Sequence, residues 1–255
     1  MTGCSDNLLR YDPPLDLLNE RVILVTGAAG SLGGAAACAY AMYGAVTVLI
    51  DKDQHGIQQT YDAIIQRRCC APVLVQQDLA TASVALCEQL ANEVANELGR
   101  LDGILHCAAE LGALAPLHLN EMDAWSRVCR VNLLAPYLLT RACLPLLLNS
   151  HDASVIFTSS DVARHGRAYW GAYGVSGAAT EALVKIWSDE IEQHDNLRMN
   201  SLDPGPVASH LRSQAYPGED PCRLRTAEDI CPACLYLMGP ASRGIRGQQL
   251  TVPAI

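Results

Sequence analysis

The chain has 255 residues, of which 50% are hydrophobic and 18% charged, and its formal net charge is −9. This composition excludes a disordered or fibrous protein, and the acidic balance argues against nucleic acid or an anionic membrane as the main partner. The length suits one α/β domain, no uninterrupted apolar run reaches the ~18 residues that cross a bilayer, and no basic-then-apolar export signal is expected at the start.

Residues 1–20 are polar, carry Pro13-Pro14 and read as an arm leading into a domain over 21–255. Residues 21–26 form a short β-branched run of the kind that makes a buried parallel strand. A turn, Gly27-Ala28-Ala29-Gly30-Ser31-Leu32-Gly33-Gly34, follows, and then an alanine-rich helix to about Tyr43. Residues 45–50 read as a second strand ending at Asp51, 54–67 as helix, 72–76 as a third strand ending near Asp78, and 82–98 as helix. A fourth strand lies within 101–107, and a helix over 122–148 should be kinked by Pro136. Residues 155–157 are a strand feeding Thr158, Ser159 and Ser160; a polar loop leads to a helix over 173–191. The remainder reads as a strand over 197–202 ending at Pro204-Gly205, a helix over 226–238 and a last strand over 249–252. Strand and helix alternate throughout, the pattern of a Rossmann-type doubly wound parallel sheet of about seven strands with helices on both faces.

Glycines in a strand-to-helix turn let the backbone approach a pyrophosphate, and the helix start behind them offers free N–H groups. Asp51, 24 residues after Gly27, can accept both ribose hydroxyls of NAD and would repel the 2′-phosphate of NADP. Lys52 beside it keeps NADP as the alternative to the favoured NAD. Asp78 can meet an adenine amino group or simply cap a turn. The eleven cysteines, an odd number, point to reduced thiols and a cytoplasmic location. Cys231 and Cys234 form a lone C-x-x-C, too few ligands for zinc, so no metal is expected.

Four features together resemble the short-chain dehydrogenase/reductase family: T-G-A-A-G-S-L-G, Ser160 spaced from Tyr173, Asn132 in a long helix, and Pro204-Gly205 after a strand. The likeness covers residues 21–252 and looks strongest to the bacterial YciK-type subgroup. It implies that Ser160 polarises the substrate oxygen, Tyr173 exchanges the proton and Asn132 holds a water in a proton relay. It also implies cofactor contacts from Gly27, Gly30, Ser31, Leu32, Gly33, Asp51, Asp78, Leu79, Tyr173, Pro204 and Gly205. The chain departs from the pattern at three places. The lysine expected four residues after the tyrosine, which lowers the phenol's pKa by its charge, is Gly177. The central turn glycine is Ser31, and Asn-Ala-Gly after the fourth strand is Cys107-Ala108-Ala109. Only two lysines exist, and Lys185 lies ~12 Å further along the helix than Gly177. Gly177 also has a packing reading, as one of several small residues that let helices approach closely.

Three functions stay open. One is a slow NAD(P)-dependent oxidoreductase acting on an alcohol or carbonyl. Another is a dinucleotide-binding protein without hydride transfer, a sensor or subunit partner. The third is an assembly scaffold that keeps the fold without binding a dinucleotide. The substrate lining should come from residues 111–119, 164–170 and the segment after Pro206. His165, Arg164 and Arg167 offer charge near the site, though solvated loop positions account for them as well. A homodimer or homotetramer is expected by analogy with the family.

Overall fold

The computed structural model describes residues 8–253. Its seven strands, all parallel, lie in the order β3-β2-β1-β4-β5-β6-β7. They are β1 (Val22–Thr26), β2 (Val46–Asp51), β3 (Val73–Gln76), β4 (Gly103–His106), β5 (Ala153–Thr158), β6 (Leu197–Asp203) and β7 (Gln249–Thr251). The order reverses between β1 and β4, and the carboxyl ends of those strands open the crevice where such sheets bind ligands.

The β-branched runs are strands because both faces of the sheet are covered. Ile23 and Val25 face one core with helices α1 (Ser31–Met42) and α2 (Gln54–Gln66), while Val22 and Leu24 face the other with α3 (Val84–Leu98). The stretch read as an arm lies against the first core: Leu8 and Leu18 are buried there, and the Tyr11 ring meets Tyr236 edge-on at 5.2 Å.

The long helix is more irregular than expected. It runs as α4 (Met122–Cys129), a π-helical turn (Arg130–Leu134) and α5 (Ala135–Asn149). Pro136 has no N–H to donate to the carbonyl four residues back, that of Asn132, so the α ladder is interrupted there. The N–H of Ala135 reaches Arg130 instead, and the hydroxyl of Thr180 donates to the Asn132 carbonyl at 3.1 Å. By length and composition Met122–Asn149 is apolar enough to cross a membrane. Its inward face, with Leu138, Leu139, Cys143 and Leu147, packs into the second core.

Other differences are local. The strand before Ser160 is longer than the apolar triplet suggested, and the loop after it begins with a short helix, α6 (Asp161–His165). Helix α7 (Gly171–Glu190) starts two residues before Tyr173. A short helix α8 (His210–Ala215) lies in the segment after Pro206, where no element was expected, and the stretch 226–238 resolves into a 3-10 turn and α9 (Cys231–Met238).

Candidate active site

The glycine turn is built for close backbone approach. Gly27 has φ +69°, and a Cβ on it would lie 2.6 Å from the Ala108 nitrogen of the neighbouring strand end. A Cβ on Gly33 would lie 2.2 Å from the Gly27 carbonyl oxygen, so the helix start can sit on the turn only without a side chain there. Gly30 precedes α1, no side chain caps that helix, and Ser31 is its exposed first residue. The first N–H groups of such a helix have no partner within it. A cradle that any Cβ would fill, at an uncapped helix start, fits a dinucleotide pyrophosphate. Leu32 is partly buried behind it.

Asp51 closes this cradle from β2. One carboxylate oxygen accepts the Ala29 N–H at 3.1 Å and the other the Asp53 N–H at 3.0 Å. Asp78 takes the capping role: it accepts the Ala80 N–H at 2.9 Å and pairs with Arg127 at 3.1 Å. The Leu79 side chain is buried in the second core. Gly205, φ +68°, gives its N–H to Asp203 at 2.9 Å beside Pro204.

Further along the crevice, a cavity of about 50 Å³ brings together Ser160, Tyr173, Asn132 and Gly177, with Thr180 and His106 in its wall. Four elements converge here: the end of β5, the π-helical turn, α7 and the end of β4. The structure separates the two adjacent serines. Ser160 stands by the Tyr173 phenol and acts to lower its pKa, whereas the Ser159 hydroxyl donates to Glu181 at 2.5 Å. The Asn132 side chain is fixed, accepting from the Glu110 N–H at 2.8 Å and donating to the Glu110 carbonyl at 2.9 Å.

Among the described residues no cation serves Tyr173. Burial raises the phenol's pKa above its usual value; the neighbouring Ser160 hydroxyl opposes that, and the Asp203 carboxylate adds to it. His106 in the cavity wall is buried and its pKa is pushed down to about 3, so it is neutral. Lys185 is exposed, and Lys52 is paired with Glu110. His165 and Arg167 both pair with Asp161 at the surface. Arg164 turns inward to Glu181 at 3.2 Å and stands 3.9 Å from Asp203. Ala163 explains what became of the missing lysine's space: a Cβ at position 177 would lie 2.9 Å from the Ala163 Cβ.

Two of the expected lining segments meet. The Trp170 ring lies 5.7 Å from that of Tyr173 and 5.8 Å from that of Tyr216 on the segment after Pro206, over which the Arg212 guanidinium stacks at 3.8 Å. Leu117, from the third segment, is 3.3 Å from where a Cβ on Gly171 would stand. Sequence reasoning missed Glu110, Arg127, Glu181 and Asp203. Asp203, directly before Pro204-Gly205, was the one with a readable signal.

The profile of the short chain dehydrogenase family matches residues 21–220 of this chain. The chain belongs to the short-chain dehydrogenase family. It is 43% identical over 235 residues to the uncharacterized oxidoreductase YciK of Escherichia coli (strain K12), covering 92% of each chain. A short chain dehydrogenase from Pseudomonas syringae shares 45% identity and superposes with a TM-score of 0.93, over 95% of this chain and 98% of that one. A third short-chain dehydrogenase, from Shigella flexneri 2a and complexed with NADP, shares 40% identity with a TM-score of 0.90, over 94% and 99%.

Proposed function

We propose that this chain is an oxidoreductase that exchanges a hydride between a nicotinamide dinucleotide and a small alcohol or carbonyl compound, and that it works slowly. The observation that carries the reading is the hydroxyl pair, Ser160 and Tyr173, lining one cavity at the strand ends beside the glycine turn. When bound, the nicotinamide supplies or accepts the hydride. Tyr173 donates its proton to the carbonyl oxygen during reduction and receives it during oxidation. Ser160 polarises the same oxygen, and Asn132 holds the relay side of the cavity. Gly27, Gly30, Ser31, Leu32 and Gly33 receive the pyrophosphate, Asp51 the adenosine ribose, and Pro204-Gly205 the nicotinamide end. Asp78 and Leu79 line the adenine side through their backbone.

The slowness follows from charge. A raised phenol pKa keeps Tyr173 protonated at neutral pH, the state that reduction needs. Oxidation needs the phenolate, so its rate should climb with pH to beyond about 10.

For the cofactor, the NADP held by the Shigella flexneri relative favours a 2′-phosphate. Asp51, tied to the glycine turn of this chain, favours the 2′-hydroxyl of NAD, and we give it more weight. Exposed Met122, Leu134, Val175 and Ile186 on α4, the π-helical turn and α7 support a homodimer or homotetramer. The ten described cysteines are free thiols, which supports a cytoplasmic location.

A second reading, dinucleotide binding without hydride transfer, is favoured by the Ala163 methyl closing the approach to position 177. Turnover of NADH and NADPH with a panel of ketones and aldehydes tests the two. The first reading expects steady turnover that Tyr173→Phe lowers by about 10²- to 10⁴-fold. Quenching of tryptophan fluorescence by either nucleotide with no turnover would establish the second.

A further inference from the structure

Four charged side chains bridge the adenosine end of the crevice. Lys52 follows the last residue of β2, Asp78 lies just past β3, Glu110 lies past β4, and Arg127 comes from α4. Glu110 gathers both cations. Its Oε1 receives the Lys52 ammonium at 2.8 Å, and its carboxylate receives Arg127 Nε and Nη2 at 2.8 to 3.1 Å. Arg127 Nη2 continues to Asp78 at 3.1 Å. Because β2 and β4 flank β1 on either side, the Lys52–Glu110 pair passes over the end of β1, where the glycine turn begins. Asp51, adjacent to Lys52, is bonded to that same turn through the Ala29 N–H.

We propose that Glu110 is a specificity-determining residue: it holds Lys52 and Arg127 away from the adenosine ribose and thereby selects NAD over NADP. The proposal rests on the dinucleotide-binding reading above. A 2′-phosphate brings close to two negative charges at neutral pH and needs a cation beside it. Around the ribose position stand two cations and three carboxylates, Asp51, Asp78 and Glu110, and both cations are already engaged. A 2′-phosphate must first part Lys52 from Glu110 and then tolerate that carboxylate nearby. A 2′-hydroxyl meets neither demand, because it donates to Asp51. The NADP complex of the Shigella flexneri relative therefore does not set the preference of this chain.

Calorimetric titration of the full chain with NAD and with NADP, without substrate, tests this apart from turnover. The wild-type protein should bind NAD more tightly. Glu110→Gln, which keeps the size and removes the charge, should raise the NADP-to-NAD affinity ratio about 10-fold, and adding Lys52→Ala should abolish that gain. Wild-type affinity for NADP equal to or above that for NAD overturns the proposal without any variant. So does an unchanged ratio in Glu110→Gln, while the dinucleotide reading survives both results. Failure of the wild-type chain to bind either nucleotide overturns that reading together with the proposal.

Discussion

The two ends of the sheet treat buried charge in opposite ways. At the amino ends, Asp152 receives three arginines: Arg21, Arg198 at 2.5 Å and Arg243 at 3.2 Å. Asp102 nearby receives both arms of Arg100 at 2.8 Å, the Ser150 hydroxyl at 2.6 Å and the Val22 N–H at 2.9 Å. Burial alone would raise both carboxyl pKa values, yet the guanidinium partners hold them below the usual range. At the carboxyl ends, Glu181 and Asp203 share the single guanidinium of Arg164, whose Nη2 is buried without a hydrogen-bond partner. Burial leaves the Asp203 pKa raised, and that of Tyr173 with it. One pole is electrostatically complete and serves stability. The other keeps unmet polar capacity, where chemistry is proposed.

The largest test of this contrast is Asp152→Ala. It leaves Arg198, which is buried, without its carboxylate and should cost about 3–5 kcal/mol in denaturant unfolding. The pH dependence follows from the depressed pKa of Asp152. Its stabilising contribution is present above the unfolded value near 3.9 and is lost as pH falls through the folded value. Wild-type stability should therefore drop below about pH 4, and the variant should lose correspondingly less. A variant that unfolds within about 1 kcal/mol of wild type would end the idea of a saturated structural pole.

At the other pole, the double variant Ala163→Gly with Gly177→Lys should raise turnover by roughly 100-fold, within the usual range for an acid–base contribution. Gly177→Lys alone should raise it far less, because its Cβ meets the Ala163 methyl at 2.9 Å. Equal gains from the single and double variants would show that the methyl does not matter.

The smallest effect is expected from Asp203→Asn. A raised folded pKa means that the protonated form of Asp203 is the stabilising one and that its contribution is lost as pH rises through that value. A neutral amide should therefore melt slightly higher at pH 7. It should also move the pH profile of alcohol oxidation down, by less than about one pH unit, by removing a negative neighbour of Tyr173. An upward movement of the profile would contradict the placement of that charge.

Much of the architecture was legible in the chain. The runs over 21–26 and 45–50 announce strands because β-branched residues bounded by glycine or aspartate suit a sheet covered on both faces. Ser160 and Tyr173 were legible through their spacing and the family likeness, although only geometry separates Ser160 from Ser159. The π-helical turn was not legible. It depends on the N–H that Pro136 lacks and on a bond from Thr180, 48 residues away. Glu110 was missed for a similar reason: its partners Lys52 and Arg127 lie 58 and 17 residues away and meet it only through the strand order. The short helices α6 and α8 carry too few residues to develop a periodic signal.

The methyl group of Ala163 also constrains the history open to this protein. Regaining the full effect of an ammonium at position 177 takes two substitutions, since position 163 must also be emptied. The side chain thus narrows the routes by which the phenol could gain a charged companion.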